Sequence, residues 1–205
     1  MGIVIDHEAR RRAIISKSIQ LFAEQGYDGV TYQKIADNCG IARTTLYKYF
    51  HSKRQIFNYA IWEVAKALSD RFTEILDPQD RAIVRLDRLL HAVLQLLFQQ
   101  RVILTVILDY VLAAQRTGQN LAHTIASHTI GLRRIIHSLI VEGVRKGELH
   151  HVKPRLATDQ IYALLEAAIL RLTVSQNADY DELSVLMHQT IETLRAPLPR
   201  PEKRA

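Results

Sequence analysis

The feature that most constrains the fold is the spacing of the apolar residues, which recur every three to four positions along almost the whole chain. In the first segment, Ala13, Ile14, Leu21 and Phe22 follow this spacing, and Gly26 then suits a left-handed cap at a helix end. The period places such residues on one face of an α-helix, whereas a half-buried strand needs strict alternation. No persuasive strand pattern is present, so the sequence predicts an all-α fold.

Capping residues and helix breakers divide this pattern into about nine helices. Thr31 is a favourable N-cap, Gly40 ends the segment that follows it, and Ser52 with Gln55 forms a capping box. Pro78 disfavours helix at the residue before it. The predicted helices cover about 10–25, 32–39, 43–50, 53–76, 79–99, 101–115, 119–146, 155–174 and 179–195.

The positive charge is concentrated at the N-terminus. Residues 1–54 hold nine Lys or Arg and five Asp or Glu, a net charge of +4, out of +6 for the 205 residues. A local basic excess favours a polyanionic partner, although a solvated surface could have the same composition. Charge alone leaves both interpretations open.

Three features of the sequence favour a cytoplasmic protein. Cys39 is the single cysteine, which fits a reducing compartment and rules out an internal disulfide framework. The N-terminal residues lack the apolar core of a signal peptide. The most apolar stretch, 102–108, is too short to cross a bilayer, so no membrane association is predicted.

Residues 31–50 have the pattern of a helix-turn-helix. A short helix meets a tight turn at Gly40, and a second helix begins about three residues later. The residues expected inside the crossing are small or apolar, namely Ile35, Ala36, Ile41 and Leu46. In such a motif the second helix enters the major groove of double-stranded DNA, which is wide enough to admit one helix.

The segment IISKSIQLFAEQGYDGVTYQKIADNCGIARTTLYKYFHSKRQIF, residues 14–57, resembles the N-terminal domain of TetR-family transcriptional regulators. The resemblance implies a three-helix DNA-binding domain with a connecting helix over 8–68, and a helical ligand-sensing and dimerisation domain over 69–196. Residues 197–205 are expected to form a flexible tail. Two positions depart from the family pattern: Ala42 stands where Ser is usual, and Cys39 where a small residue such as Ala is common.

Ten residues are candidates for contacts with DNA. Arg43 and Thr44 open the second helix and are the best candidates for base edges, whereas Lys48 and Lys53 suit phosphates. Phe50 is expected in the core, Tyr47 is expected to reach DNA, and Tyr49 could do either. The full predicted set is Thr31, Tyr32, Gln33, Arg43, Thr44, Thr45, Tyr47, Lys48, Tyr49 and Lys53.

A pocket for a small-molecule effector is predicted around helix 101–115. This helix is apolar nearly all round, so we expect it to be central and buried, and Asp109 and Tyr110 interrupt it. A buried carboxylate must be paired or solvated, so a simpler alternative is that Asp109 is a surface residue. The candidate ligand-binding residues are His91, Asp109, Tyr110, Gln115 and His128.

The last two helices, about 155–174 and 179–195, are predicted to form the seam of a homodimer. Small residues at Ala163, Ala167 and Ala168 permit close approach of helices, and the facing apolar residues are Leu183, Leu186, Met187, Ile191 and Leu194. Ordinary packing within one chain is the alternative. A dimer is favoured because helix-turn-helix proteins read two half-sites with two-fold symmetry.

The resemblance implies a ligand-responsive repressor that binds a palindromic or pseudo-palindromic operator and is released by a small molecule. An enzyme using a His and Asp109 as an acid–base pair is one alternative, and a helical protein-binding adaptor is another. No nucleophile motif, phosphate loop or metal-ligand spacing supports an enzyme, and His123 and His128 are five residues apart, not four. No cofactor and no metal are predicted.

Overall fold

The residues that the structure describes fold into nine α-helices. This computed structural model describes residues 6–70, 75–116, 122–175 and 177–196, with the backbone alone for Leu68 and residues 122–129. The helices are α1 (His7–Gln25), α2 (Tyr32–Cys39), α3 (Arg43–Tyr47), α4 (Lys53–Ser69), α5 (Ala82–Gln99), α6 (Arg101–Arg116), α7 (Ala122–Arg145), α8 (Pro154–Val174) and α9 (Tyr180–Leu194). An isolated antiparallel bridge joins Leu149 to Arg195. The predicted all-α class is confirmed.

Local capping explains where several helices begin. The Asp6 carboxylate accepts hydrogen bonds from the amides of Glu8 and Ala9, so α1 begins three residues earlier than predicted. In the capping box of α4, the Gln55 amide donates to the Ser52 hydroxyl oxygen at 3.2 Å. The Gln55 side-chain oxygen in turn accepts a hydrogen bond from the backbone amide of His51, just before the helix. These bonds satisfy amides that an uncapped first turn would leave free.

Three predicted helix ends were wrong for local reasons. Helix α5 begins at Ala82 and not at 79, because the side chain and carbonyl of Asp77 hold the preceding residues in a turn. Helix α3 ends at Tyr47 and not at 50, where the chain tightens into bonds between residues three apart. Helix α4 ends at Ser69, while part of its predicted extension, 71–74, lies outside the described residues.

Gly26 ends α1 in a conformation different from the one predicted. Its φ of 73° and ψ of 153° lie outside the left-handed helical region, in a region that glycine alone adopts readily. A Cβ built on Gly26 would lie 3.4 Å from the Asp109 carboxylate oxygen. This is ordinary contact distance, so it is the positive φ and not lack of space that favours glycine here.

The head, which we define as α1 to α4, has its own core. Phe22, Ile35, Leu46 and Phe57 are buried in it together with other residues of the same helices. Ile103 and Val106 of α6 belong to the same buried cluster. The head is thus closed by a helix that begins 32 positions after α4 ends.

Helix α6 lies between two parts of the molecule. The prediction that it is buried on all sides was wrong. Its Ile103, Leu104 and Val106 are buried, but Val102 and Leu112 are 45% and 44% exposed. One face of α6 packs on α1 and another on α8. The two predicted domains therefore share this helix, and the predicted boundary between 68 and 69 stays a prediction.

The body, which we define as α5 to α9, has a separate core. Helix α5 lies at its centre and packs on α7, α8 and α9. The buried residues of this core include Ile83, Leu86, Leu89, Leu90, Val93, Ile136, Leu139, Ile140, Leu149, Ile161, Leu165, Met187, Ile191 and Leu194. In the described part of the chain no single helix is long and apolar enough to cross a membrane. Helices α5 and α6 have that length and apolar composition only when taken together, and the chain bends by 79° between them.

A buried ion pair joins α5 to α7. The Arg85 side chain, 8% exposed, lies 2.5 Å from the carboxylate of Glu142, which also accepts from Lys146 at 2.7 Å. The hydrogen bond from Lys146, and then that from Arg85, lower the pKa of Glu142 despite the opposing effect of burial. The Nε of Arg85 is buried without a hydrogen-bond partner.

The contacts of Asp109 and Tyr110 with the head fasten it to the body, and we call them the clasp. The Asp109 carboxylate of α6 accepts a hydrogen bond from the Tyr27 amide at 3.0 Å. The ring of Tyr110 lies 4.6 Å from that of Tyr27 and 4.9 Å from that of Phe57, measured between centroids. Burial is the main cause that raises the pKa of Tyr27 to about 12. The clasp holds the turn between α1 and α2, and α2 carries the helix-turn-helix.

The outer edge of α4 is aromatic and exposed. Trp62, the single tryptophan, is 49% exposed, with its ring 5.2 Å from that of Tyr59. The Lys66 ammonium lies 5.6 Å from the Trp62 ring. This edge is part of the helix that leads from the head towards the body.

Candidate nucleic-acid interface

A complete C-terminal cap sets the turn between α2 and α3. Gly40 is left-handed, with φ 65° and ψ 37°, and its amide donates to the Asp37 carbonyl while the Ile41 amide donates to the Ala36 carbonyl. This pair of bonds is a Schellman motif, which favours glycine at this position. With Ile35, Ala36 and Leu46 buried between them, α2 and α3 are held in a fixed crossing.

Helix α3 presents its polar side chains to solvent. Arg43, Thr44, Tyr47 and Lys48 are exposed, and Thr45 is half-buried. Ala42 occupies the N-cap in an extended conformation and makes no side-chain hydrogen bond to the helix. The first turn of α3 thus keeps free amides at the end that the sequence predicts to meet base edges.

The guanidinium of Arg43 lies against two neighbouring tyrosine rings. Its guanidinium carbon lies 5.8 Å from the Tyr32 ring and 5.7 Å from the Tyr47 ring, and the two rings are 4.8 Å apart. The Tyr32 hydroxyl donates to the Phe50 carbonyl, and burial is the main cause that raises the pKa of Tyr32 to about 12. Tyr32, predicted as a phosphate contact, therefore has its hydroxyl engaged within the head and supports Arg43 with its ring.

The three aromatic residues between positions 47 and 50 differ in exposure. Tyr47 is 40% exposed, whereas Phe50 is 1% exposed, as predicted for a core residue. Tyr49 is half-buried, and its hydroxyl lies 3.4 Å from a ring nitrogen of His7 on α1. Tyr47 is therefore the tyrosine of this stretch that is best placed to reach a partner.

A surface depression of about 390 Å³ lies beside α3. It is lined by Asp28, Val30, Thr31, Tyr32, Tyr47, His51, Ser52 and Lys53. The N-termini of α2 and α4 both open into it, and the partial positive charge of helix N-termini favours anions such as phosphate. His51 and Ser52 were not predicted for the site, although the capping box had already placed them at the start of α4.

Lys53 is anchored within the head. Its ammonium donates to the carbonyls of Tyr27 at 2.8 Å and Val30 at 3.1 Å, and it lies 4.4 Å from the Tyr27 ring. The sequence predicted a free phosphate contact, but this lysine also holds the turn between α1 and α2. Its charge remains at the wall of the depression.

The remaining predicted interface residues lie on α2. Thr31 caps this helix, with its hydroxyl accepting from the Lys34 amide at 3.2 Å. Gln33 is exposed and donates to the Asp37 carboxylate at 2.8 Å. Cys39 is half-buried against the head core, and burial raises the pKa of its thiol.

The structure does not bring the five predicted ligand-binding residues together. Asp109 is exposed and Tyr110 packs into the head core, while His91 lies against His188 of α9, with ring centroids 6.3 Å apart. Gln115 is exposed, and the side chain of His128 lies outside the described residues.

The contacts of Asp109 and Tyr110 do not support the predicted pocket around them. Neither residue lines the depression beside α3 or the cleft between α1, α4 and the start of α6, and the hydrogen bond of Asp109 goes to the Tyr27 amide. The acid–base pair of the enzyme alternative thus has its carboxylate committed to the clasp. Across the described residues, no group of three His, Cys, Asp or Glu side chains is arranged to hold a metal ion.

Comparison with known proteins decides the family. Residues 14–60, which include α2, the Gly40 turn and α3, match the model of bacterial regulatory proteins of the tetR family. The N-terminal domain of this chain is that of the TetR family. The protein is a DNA-binding transcriptional regulator, and the resemblance predicted from its sequence is confirmed.

Curated relatives are similar over different lengths. The chain is 23% identical over 191 residues to the nucleoid occlusion factor SlmA of Vibrio campbellii. This match covers 89% of this chain and 96% of SlmA. It is 42% identical over 48 residues to IcaR of Staphylococcus aureus, an HTH-type negative transcriptional regulator of the biofilm operon icaADBC. That match covers 23% of this chain and 26% of IcaR.

Solved structures share the whole TetR-family fold. The ketosteroid transcriptional regulator KstR2 of Mycobacterium tuberculosis has a TM-score of 0.73 at 17% identity, covering 92% of this chain and 96% of that one. PfmR of Thermus thermophilus, a TetR family transcriptional regulator, has a TM-score of 0.72 at 20% identity, covering 91% and 99%. At these identities the likeness is one of fold.

Proposed function

We propose that this regulator is a cytoplasmic repressor that binds a palindromic or pseudo-palindromic operator as a homodimer. The observation that carries the proposal is the surface formed by α3 and the neighbouring depression. Arg43 lies against two rings at the start of an exposed helix, and two helix N-termini and Lys53 lie beside it. This arrangement suits a helix that reads bases while its flanks bind phosphates.

The DNA contacts divide by role. Arg43 and Thr44 face base edges, since an arginine can bind a guanine with two parallel hydrogen bonds. Lys48, Tyr47 and the depression hold phosphates, together with Thr31 and Gln33 at the start of α2. Thr45 and Tyr49 lie at the margin, where their half-burial supports packing as well as contact.

The outer faces of α8 and α9 support the homodimer. Exposed apolar residues recur at helical spacing on α8 and continue on α9, namely Leu156, Ala163, Ala167, Leu170, Val174, Val185 and Leu186. Leu170 is 55% and Val174 is 70% exposed. Exposed apolar residues that recur along one helix face, as on α8, indicate a protein–protein contact.

The seam differs in detail from the one predicted. Ala168 is 2% exposed and packs inside the chain on Leu94, Leu172 and Leu183. Of the predicted residues of α9, Leu183, Met187, Ile191 and Leu194 are buried in the body, and Leu186 remains on the outer face. The seam we propose therefore uses Ala167 and Leu186 but not Ala168.

We further propose that a small molecule releases the protein from its operator. A repressor needs a signal that changes the relative position of its two heads, and binding must differ between the two positions to do so. The shared helix α6 and the clasp provide a physical connection between body and head.

Fluorescence titration of labelled duplex DNA at two salt concentrations tests the function. A specific duplex selected from a random library should bind far more tightly than random duplex, and both affinities should fall steeply with salt because phosphate contacts release counterions. Lys153, an exposed lysine of the body, provides the control: Lys153→Ala should leave both affinities unchanged. Salt-independent binding, or none, would favour the adaptor alternative.

A further inference from the structure

A cleft of about 410 Å³ separates the head from the body. One side consists of α1 and α4, and the other is the corner where α5 meets α6. The lining residues are Arg12, Ile15, Ser16, Ile19, Gln20, Ala60, Glu63, Val64, Ala67, Gln99, Gln100, Val102 and Ile103. It is distinct from the DNA-facing depression, with which it shares no residue.

The floor and the rim of the cleft differ in chemistry. Ile15, Ile19, Ala60 and Ile103 are buried and form an apolar floor. The rim is polar: Arg12 is exposed and Glu63 half-buried, and neither has an ion-pair partner among the described residues. Three glutamines, Gln20, Gln99 and Gln100, add amide groups to the rim.

We propose that this cleft binds a small amphiphile with an apolar body and one anionic group, and that this molecule is the effector. The volume lies within the range of sites for small ligands and is too small for a macromolecular partner. The apolar body would cover the floor, and the guanidinium of Arg12 would take the anion through paired hydrogen bonds. The positive charge of residues 1–54 favours an anion here as well.

The position of the cleft connects its occupancy to DNA binding, a step that rests on the proposed function. Its two sides belong to the head and the body, so their separation changes if the head turns. Ile103 lines the cleft, and Asp109 of the clasp follows six residues later on α6, about 9 Å along the helix. A ligand that prefers one separation must change operator affinity by the same free energy with which DNA changes ligand affinity.

Titration with 1-anilinonaphthalene-8-sulfonate tests the site, because this dye has an apolar ring system, one anionic group and an emission that rises in apolar surroundings. The wild type should show saturable enhancement with one dye per chain. Ala67→Phe fills the cleft and should weaken binding about tenfold or more. Ala65→Phe is the matched control: Ala65 is equally exposed on α4 but outside the cleft, so dye affinity should be unchanged.

A second pair of variants tests the charge. Arg12→Gln should weaken dye binding about three- to fivefold, whereas Glu63→Gln should leave it equal or stronger. Equal binding by the wild type and Ala67→Phe, or no saturable enhancement in the wild type, would overturn the site. An unchanged affinity in Arg12→Gln would overturn the anionic class.

The DNA titration without dye separates this inference from the proposed function. If duplex DNA binds and the dye does not, the effector site is wrong and the regulator stands. If the dye binds in the cleft and duplex DNA does not, the site stands and the proposed function fails. Where both bind, a dye concentration that just saturates the wild type should shift operator affinity in the wild type and in Ala65→Phe and should shift it much less in Ala67→Phe. No shift in the wild type would overturn the effector role.

Discussion

Two lysines of the same surface carry equal charge but have different structural roles. Lys48 is exposed at the end of α3, whereas Lys53 donates to two buried carbonyls of the turn between α1 and α2. Removing the first should remove a phosphate contact. Removing the second should also leave the carbonyls of Tyr27 and Val30 without their donor.

We therefore expect Lys48→Ala and Lys53→Ala to separate in two measurements. In salt titrations, Lys48→Ala should reduce affinity for all duplexes alike and lower the salt slope by about one. In urea unfolding, Lys53→Ala should lose about 1–3 kcal/mol, the typical cost of unsatisfied buried polar groups, and Lys48→Ala almost nothing. Equal stability of the two variants would show that Lys53 does not hold the turn.

Arg43 should be sensitive even to replacement by another cation. Lysine keeps the charge but lacks the planar fork that binds a guanine and stacks on aromatic rings. Arg43→Lys should cost about 1–3 kcal/mol on the operator and relax preference at one base pair in each half-site. Competition between the operator and single-base variants measures this effect. A uniform loss on operator and random duplex would reassign Arg43 to the phosphate backbone.

At the scale of helices, neighbouring alanines on α8 should give opposite outcomes. Ala167 is exposed and Ala168 is buried against α5 and α9. Ala167→Glu should give a folded monomer in sedimentation, with operator affinity lost because two half-sites no longer act together. Ala168→Glu should unfold the body, because it buries a charge without a partner. A dimeric Ala167→Glu would place the seam elsewhere.

The link between α5 and α7 should depend on pH. The pKa of Glu142 is lowered from 4.5 in the folded protein, so its contribution to stability is present above 4.5 and is lost as the pH falls through the lowered value. Glu142→Gln should therefore be less stable than the wild type at pH 7, and the difference should shrink at lower pH. Urea unfolding across this range measures it. Glu166→Gln, at an exposed position of α8, should show a constant difference.

The success of the sequence analysis depended on how local the governing contacts are. Thr31 and Gly40 bound α2 correctly because both caps act within four residues. Ala168 was misplaced because two adjacent positions of a helix face different directions, and only the position of α5 decides which one is inside. The bond of the Tyr32 hydroxyl to the Phe50 carbonyl was not predictable either, because it depends on the crossing of α2 with the end of α3.

At the scale of the whole molecule, the clasp could not be predicted from local sequence patterns. It joins residues 82 positions apart, and the sequence around Asp109 carries no mark of its partner. An apolar helix with a carboxylate suggested a pocket, but the carboxylate binds a backbone amide at the junction of head and body. The helix-turn-helix was predictable, while the contacts that orient it were not.

Hydrogen exchange should detect the clasp directly. In Asp109→Ala the Tyr27 amide loses its acceptor, so its exchange should accelerate, together with that of nearby amides in the turn before α2. Asp109→Asn keeps a carbonyl oxygen at the same place and should show a smaller change. Gln115→Ala, at an exposed position further along α6, provides a control without effect. Unchanged exchange in Asp109→Ala would remove the clasp from any role in orienting the head.

The exposed edge of α4 has an optical consequence. Because Trp62 is the single tryptophan and lies on α4, the last helix of the head, all indole emission comes from one known place. The ammonium of Lys66 and the ring of Tyr59 are its neighbours, so a small rotation of α4 would change both the polarity around the indole and its access to a dissolved quencher. The unlabelled protein thus carries its own gauge of head movement, readable while DNA or a ligand is added.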